Sequence, residues 1–383
     1  MQNKFILLAA SLALMPTLSS ADIISAGNEK TGVFTVSGYV ELDINYLDNS
    51  ISNSGVTDEK SQFNQDGEVL VQFAGKKAFN QHYVRFVAQP LFNSTGAVTL
   101  DDSYIELGQE NNWTLKVGRY EAYDMYPRPQ DVLVEYDDDT SEDLYQDNVA
   151  YSYRVIEAKG RGNDGQILIS KTLGNLYLEL GTILGDRISL FTNTDGTHTY
   201  HGNLLNDAKD TIVARPVVAY KVGDFELAVA AEKNLIKDAI TYTDKMGNSF
   251  DVLERDGFGT RISFDRDMLN INAMYTYLNA LNEINQTLGL TGIWNNTVAL
   301  GVTYSFNRYD DPNFRVGKTN FTTVYGSYSF NNVMHIEDFS IQLGAFYSDL
   351  DNDLDGQFVV NQTNSPINAG GNGGGSIQFY YTF

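Results

Sequence analysis

The chain has 383 residues, a formal charge of −23, a sequence pI near 4.4 and no cysteine. That acidity argues against nucleic acid as a partner, because phosphate contacts need basic patches, and the missing thiols exclude disulfide stapling and thiol chemistry. Thirty-three glycines, 24 tyrosines and only 7 prolines suit long strands joined by tight turns.

Met1 to Ala21 reads as a secretory signal. Lys4 gives the positive start, Phe5 to Met15 the apolar stretch and Ser19-Ser20-Ala21 a small-residue cleavage site. Pro16 and Thr17 interrupt the run before the ~18 residues that a membrane helix needs, and no later segment reaches that length. The expected organisation is a signal peptide over 1–21 and one transmembrane domain over 22–383.

The first strand of that domain carries its pattern most plainly. From Phe34 to Tyr46 the even positions are Phe, Val, Gly, Val, Leu, Ile and Tyr, and the odd ones are Thr35, Ser37, Tyr39, Glu41, Asp43 and Asn45. One face suits lipid and the other water, over more than the ~9–11 residues that cross a bilayer at a tilt. The same alternation predicts strands near 65–76, 81–92, 97–108, 112–120, part of 148–171, 175–184, 211–221 and 225–233. Further strands are predicted near 257–266, 269–279, 285–294, 297–307, 319–331, 338–349 and 375–383. These spans give 16 strands, with 14 or 18 also compatible because 148–171 holds one strand or two.

Strand pairs are joined by very short turns such as Gly223-Asp224 and Asn295-Asn296. Long polar stretches separate the pairs, near 186–210, 234–256 and 349–375. That asymmetry is the pattern of an all-β transmembrane antiparallel barrel, and a barrel of this size encloses a water-filled lumen.

After the fifth strand, residues 121–148 show no strand period. Ten of these 28 residues are acidic and only Arg128 is basic. Folded into a lumen, Glu135, Asp137, Asp138, Asp139, Glu142 and Asp143 would focus a negative potential, concentrating cations and disfavouring anions. The bland alternative is a solvated or divalent-binding tip outside the cell. By strand parity Arg85, Arg215 and Arg261 point inward, as does Arg119 if the strand bulges at Gly118, giving a basic wall opposite an acidic loop. Tyr39, Tyr83, Tyr120, Tyr123 and Tyr126 lie in or beside the same lumen, where ring faces and neighbouring polar groups would suit pyranose rings. Interfacial belt or packing roles compete with that reading.

Two other motifs carry less. Asp351-Asn352-Asp353-Leu354-Asp355-Gly356 matches the opening of a calcium loop, but its twelfth position is Gln362 instead of Glu, and the stretch falls in the last long loop. His198 and His201 fall in a polar loop without a carboxylate at metal spacing and are expected to be exposed, so no metal and no cofactor is assigned. No Gly-x-Ser-x-Gly or His-Glu-x-x-His pattern occurs, and a catalytic site is not expected.

The last eight residues, Ser376-Ile377-Gln378-Phe379-Tyr380-Tyr381-Thr382-Phe383, alternate apolar and polar and finish on an aromatic. This strand resembles the C-terminal strand of Gram-negative outer-membrane proteins, and the chain resembles the outer-membrane porins. The resemblance implies a trimer in the outer membrane, in contact with lipid and lipopolysaccharide, that passes small hydrophilic solutes passively. It places residues 121–148 where trimeric porins carry an inward-folded third loop, although the Gly-, Glu- and Phe-rich motif of the general porins is absent here. The tyrosine cluster is similar to that expected in sugar-selective porins for raffinose or chito-oligosaccharides. A barrel enzyme and a secreted soluble carbohydrate-binding protein are the competing classes.

Overall fold

A computed structural model describes residues 24–28, 31–48, 62–127, 151–155, 165–192, 196–207, 209–311, 315–355 and 370–383. After a short strand β1 (Ile24–Asn28), the first seven staves of the barrel are β2 (Gly32–Asp48), β3 (Gln62–Phe79), β4 (His82–Asn93), β5 (Val98–Gln109), β6 (Trp113–Arg119), β7 (Gly165–Leu173) and β8 (Leu176–Gly185). Two short strands, β9 (Thr199–Tyr200) and β10 (Asn203–Asp207), precede β11 (Thr211–Val222) and β12 (Phe225–Asn234). Another short pair, β13 (Ile240–Thr243) and β14 (Ser249–Asp251), precedes β15 (Asp256–Arg266), β16 (Leu269–Ala280), β17 (Glu283–Trp294) and β18 (Val298–Asp311). The chain ends with β19 (Arg315–Asn331), β20 (Phe339–Asp355) and β21 (Gly370–Thr382).

Sixteen of these strands pair antiparallel with their neighbours, and β21 pairs with β2 to close the ring. Closure leaves no open edge in lipid, where an unpaired backbone group has no water to bond. The seam is tightest at the end of the chain. Gly38 N donates to Phe383 O and Phe383 N donates to Gly38 O, both at 2.9 Å. A Cβ on Gly38 would lie 2.1 Å from Leu70 O and 2.9 Å from the Phe383 ring, so only glycine lets the two backbones and the ring meet. The closing strand is therefore fastened to the first stave by its last residue.

One rim carries the tight turns, and residues at their bends take the left-handed conformation that asparagine, aspartate and glycine tolerate. Asn80, Asn111, Gly174, Gly223, Asp267, Asn295 and Asn296 all have φ between 49° and 61°. The opposite rim carries the connections over 49–61, 120–164, 186–210, 235–255 and 356–369. Three of its connections, 94–97, 281–282 and 312–314, are as short as the turns, so the predicted asymmetry is real but incomplete. The predicted last loop is shorter than expected because β20 and β21 both run further. Asp351 to Asp355 lie within β20, with Asp353 opposite Lys318, so this stretch is extended ladder and not the start of a calcium loop.

Of the described residues in the ambiguous span 148–171, those from Gly165 onward form a stave. Tyr151 to Val155 instead run along the inner wall without strand pairing. The outer face shows the expected lipid-facing set, including Leu42, Ile44, Leu227, Ile262, Leu300 and Val324. The apolar core lies inside the barrel. Tyr123, Met125, Tyr151, Tyr153 and Val155 pack with Phe191, Tyr200, Ile240, Tyr242 and Leu253 against Val217, Ala219, Ala228, Ala230 and Leu278 on the inner wall. The two short hairpins join as a four-stranded sheet, β14-β13-β10-β9, among the same connections.

Candidate pore and its constriction

The inner wall is shaped to receive the loop after β6. Where lumen-facing positions would ordinarily be polar, β12 turns Ala228 and Ala230 inward, and β15 turns Gly257 and Gly259. A Cβ on Gly257 would meet the Tyr153 hydroxyl at 1.7 Å, and one on Gly259 would meet Val155 Cγ2 at 2.8 Å. Gly289 on β17 does the same for Tyr126, whose hydroxyl lies 2.2 Å from the ideal Cβ. Small residues here make sockets for large ones on the loop.

Hydrogen bonds then fix the loop backbone. Thr276 on β16 donates to Tyr153 O, and Asn285 on β17 donates to Tyr151 O at 2.6 Å. Ser305 on β18 also donates to Tyr151 O, at 2.7 Å, and Tyr153 N donates to Thr287 Oγ1 at 3.2 Å. Lower in the barrel, Tyr126 OH donates to Thr303 Oγ1 at 3.0 Å. Loop carbonyls and N–H groups removed from water thus find partners on the wall.

Two arginines fasten the loop, Arg215 by both limbs and Arg261 by the entering one. Arg215 on β11 is only 2% exposed. Its Nη2 donates to Tyr123 O at 2.6 Å on the entering limb, and its Nε to Val155 O at 2.8 Å on the returning limb. Its Nη1 pairs with Glu179 on β8 at 3.3 Å. Arg261 on β15 donates to Asp124 O at 2.6 Å, to Glu226 Oε1 at 2.6 Å and to the Tyr123 hydroxyl, with its guanidinium 4.7 Å from that ring's centre. Burial pushes the Tyr123 phenol above its ordinary range, with Arg261 pulling the other way.

Arg215 and Arg261 do point inward, but they stand behind the loop as clamps and do not face it as an open basic wall. Arg85 is half-buried on the lumen side of β4, opposite Glu106. Arg119 is half-buried, and its Nε donates to Asp101 O at 2.6 Å. Gly118 beside it has φ +127° without shifting the β5–β6 register, and the ladder irregularity lies instead between β4 and β5, at Ala88/Pro90. The acidic candidates Glu135, Asp137, Asp138, Asp139, Glu142 and Asp143 lie outside the described residues.

The tyrosines divide by exposure. Tyr120 and Tyr126 are buried, so their faces pack against protein and cannot stack on a solute. Tyr120 meets Tyr104 edge-on at 6.3 Å. Tyr123 is also buried, stacked 5.6 Å from Tyr177. Tyr83 donates to Glu106 at 2.6 Å and borders a polar cavity of about 180 Å³, with Thr114, Lys116, Ser170, Tyr177 and Glu179. Tyr39 is half-buried, stacked on Tyr380 at 5.1 Å, and donates to Glu68 at 2.5 Å.

Tyr39 introduces a feature that sequence reasoning left unassigned. On the lumen face of β2 and β3, Glu41 stands directly opposite Glu68, and Asp43 directly opposite Asp66. Like charges paired across a ladder weaken it, so this arrangement costs stability. Gln378 and Tyr380 flank the acids on β21, and Gln72 and Gln89 continue the polar face. The signal was present in the odd positions of Phe34–Tyr46, but recognising the pairing required the β2–β3 register. Counted around the ring, β2 and β3 lie half-way from β12 and β15, the staves that seat the loop.

A closed antiparallel barrel with tight turns on one rim, a polar inner face and a loop fastened within it defines an outer-membrane porin, a channel protein. The chain belongs to the porin-like glycoporin RafY family, which it matches over residues 45–383. Its fold is similar to that of an anion-selective porin from Comamonas acidovorans, with TM-score 0.57, 9% identity, and coverage of 92% of this chain and 100% of that one. It is similar also to the outer membrane channel DcaP of Acinetobacter baumannii, with TM-score 0.57, 11% identity and coverage of 94% and 100%. OmpT, an outer membrane protein of Vibrio cholerae, aligns with TM-score 0.53, 11% identity and coverage of 95% and 100%. No curated protein sequence matches the chain.

Proposed function

We propose that this porin passes small hydrophilic solutes passively and prefers cations, with the β2–β3 wall as its electrostatic filter. The observation that carries this reading is the facing of Glu41 with Glu68 and Asp43 with Asp66 on the wall across the barrel from the fastened loop. Carboxylates lining a narrow aqueous passage raise local cation concentration and repel anions. The acids of 135–143 would add to the same potential. Reversal potentials in planar bilayers under a potassium chloride gradient test the reading. A cation preference supports it, and an anion preference overturns it.

A sugar preference is the second reading. It rests on the family's description as a glycoporin and on the Tyr39–Tyr380 stack beside Gln378, Glu41 and Glu68. Stacked rings with adjacent amides and carboxylates suit the faces and hydroxyls of pyranoses. Dose-dependent block of the current by a trisaccharide supports it, and current insensitive to oligosaccharides removes it.

The protein would work as a homotrimer in contact with outer-membrane lipid and lipopolysaccharide, after removal of residues 1–21 as a signal peptide. Trimeric forms are known for a protein of similar fold, OmpT of Vibrio cholerae. Mass measurement of the detergent-solubilised protein and N-terminal sequencing of the exported chain check these two points.

A further inference from the structure

His201 is not exposed, contrary to its sequence expectation; it is 5% exposed at the rim of the barrel. It occupies the first central position of the hairpin turn between β9 and β10, with φ +50°, followed by Gly202 at φ +70°. Two successive positive φ values make the primed turn typical of two-residue hairpins. The ring stacks on Tyr200 at 4.1 Å and 12°. His198, six residues beyond Thr192, is half-buried with Nδ1 3.0 Å from Thr192 Oγ1 and takes no part in the cluster.

The two ring nitrogens of His201 face two carboxylates on different staves. Nδ1 lies 3.2 Å from Asp311 Oδ2 at the end of β18, and Nε2 lies 3.6 Å from Glu283 Oε2 at the start of β17. Beside it, Tyr200 OH donates to Leu281 O at 2.9 Å, in the turn between β16 and β17. One phenol and one imidazole of this hairpin thus reach the barrel rim. Among the described residues, the other titratable groups facing the cluster come from each element packed there. Tyr309 on β18 meets the ring edge-on at 6.3 Å, and Tyr151 on the returning limb lies in the field of Glu283, Tyr309 and Tyr200. From the 235–255 connection, Tyr242 lies in the field of Asp311 and Arg255 in that of Glu283.

A neutral imidazole has one N–H and donates to one carboxylate; an imidazolium has two and donates to both. We propose that His201 is a proton-operated latch, which binds Asp311 and Glu283 together when protonated and releases one of them when it loses its proton. The stabilisation is present while the ring is charged and is lost as pH rises through the range in which the folded ring gives up its proton. Arg255, which burial pushes down to about 9, keeps its charge across that range.

Release would reach the pore by contiguous packing. Leu205 on β10 pairs with Tyr242 on β13, so the two outer connections form one sheet. Tyr200 belongs to the same buried cluster as Tyr151, Tyr153 and Val155 on the returning limb. Loosening the hairpin therefore frees both that sheet and the limb that Arg215 fastens. The predicted result is a channel that conducts steadily at low pH and flickers at high pH.

The test is single-channel recording of the full-length protein, with pH stepped from 5 to 8 on the long-loop side only. Closing events should become several-fold more frequent as pH rises. His201→Gln should show the high frequency at every pH, Asp311→Asn should flatten the response, and His198→Gln should keep it. Hydrogen exchange of residues 196–207 on the same protein reads the latch without current, and should be several-fold faster at pH 8 than at pH 5 after correction for intrinsic rates. A wild-type channel whose closing frequency and corrected exchange ignore pH overturns the proposal, as does a full pH response retained in His201→Gln. Absence of current with pH-dependent exchange faults the channel reading and leaves the latch supported.

Discussion

The two halves of this lumen are built on opposite principles. From β11 to β17 the inner wall carries small, apolar and hydroxylated residues around the clamps Arg215 and Arg261 and the polar Glu226 and Asn285, and it is covered by tyrosines and backbone of the folded-in connections. From β21 through β2 to β3 it is charged and amidic, and Glu41, Asp43 and Tyr39 remain only partly buried. The first half gives up pore volume for order. The second accepts like-charge repulsion and keeps its groups in contact with water, where they act on solutes. A mutation in one half should therefore change pore size and stability, and a mutation in the other should change selectivity.

The largest effect is expected at Arg215. Replacement by methionine leaves Glu179 buried without its ion-pair partner and frees Tyr123 O and Val155 O together, and breaking a buried pair costs about 3–5 kcal/mol. Denaturation should shift accordingly, and single-channel conductance should rise because both limbs of the loop are released. Conductance and stability equal to wild type would break the comparison. Arg261→Ala should act in the same direction by about 1.5–3 kcal/mol, because it removes charged hydrogen bonds from only one limb and its side chain is partly exposed. A Gly257→Val barrel should lose about 1–3 kcal/mol by closing the Tyr153 socket, and its conductance should rise with no change in reversal potential.

On the open wall the expectation reverses. The Glu41→Gln/Glu68→Gln double variant should gain about 0.2–1 kcal/mol by relieving a facing like-charge pair, while its cation preference falls. Thermal melts and reversal potentials measure both. The smallest effect belongs to the outer connections. Asp244 accepts hydrogen bonds from the Asn248 side chain and backbone, which hold its carboxyl below the usual range. A depressed folded value stabilises the turn above the unfolded value near 3.9 and loses that contribution as pH falls below it. Faster backbone exchange at 244–248 below about pH 4, absent in Asp244→Asn, would show it.

The sequence was most readable where one rule governed each residue. A stave with lipid on one side and water on the other must alternate, and Phe34–Tyr46, Phe225–Ala231 and Ile271–Tyr277 all do so in the folded barrel. The loop was readable as an interruption, because 121–148 has no such period. Its docking was not, since Ala228, Ala230, Gly257 and Gly259 gain meaning only beside Tyr153 and Val155, which are far away in sequence. The roles of Arg215 and Arg261 failed for a related reason. Parity gave their direction but not the carbonyls already waiting there. His201 was misread because its carboxylates lie 82 and 110 residues further along the chain, at spacings that no local motif spans.

Charge reversal on the open wall tests the central claim most directly. A barrel carrying Glu41→Lys and Glu68→Lys, recorded in a potassium chloride gradient, should keep wild-type conductance within a modest factor while its reversal potential moves toward the anion side. An unchanged reversal potential would contradict the assignment of the β2–β3 wall as the filter.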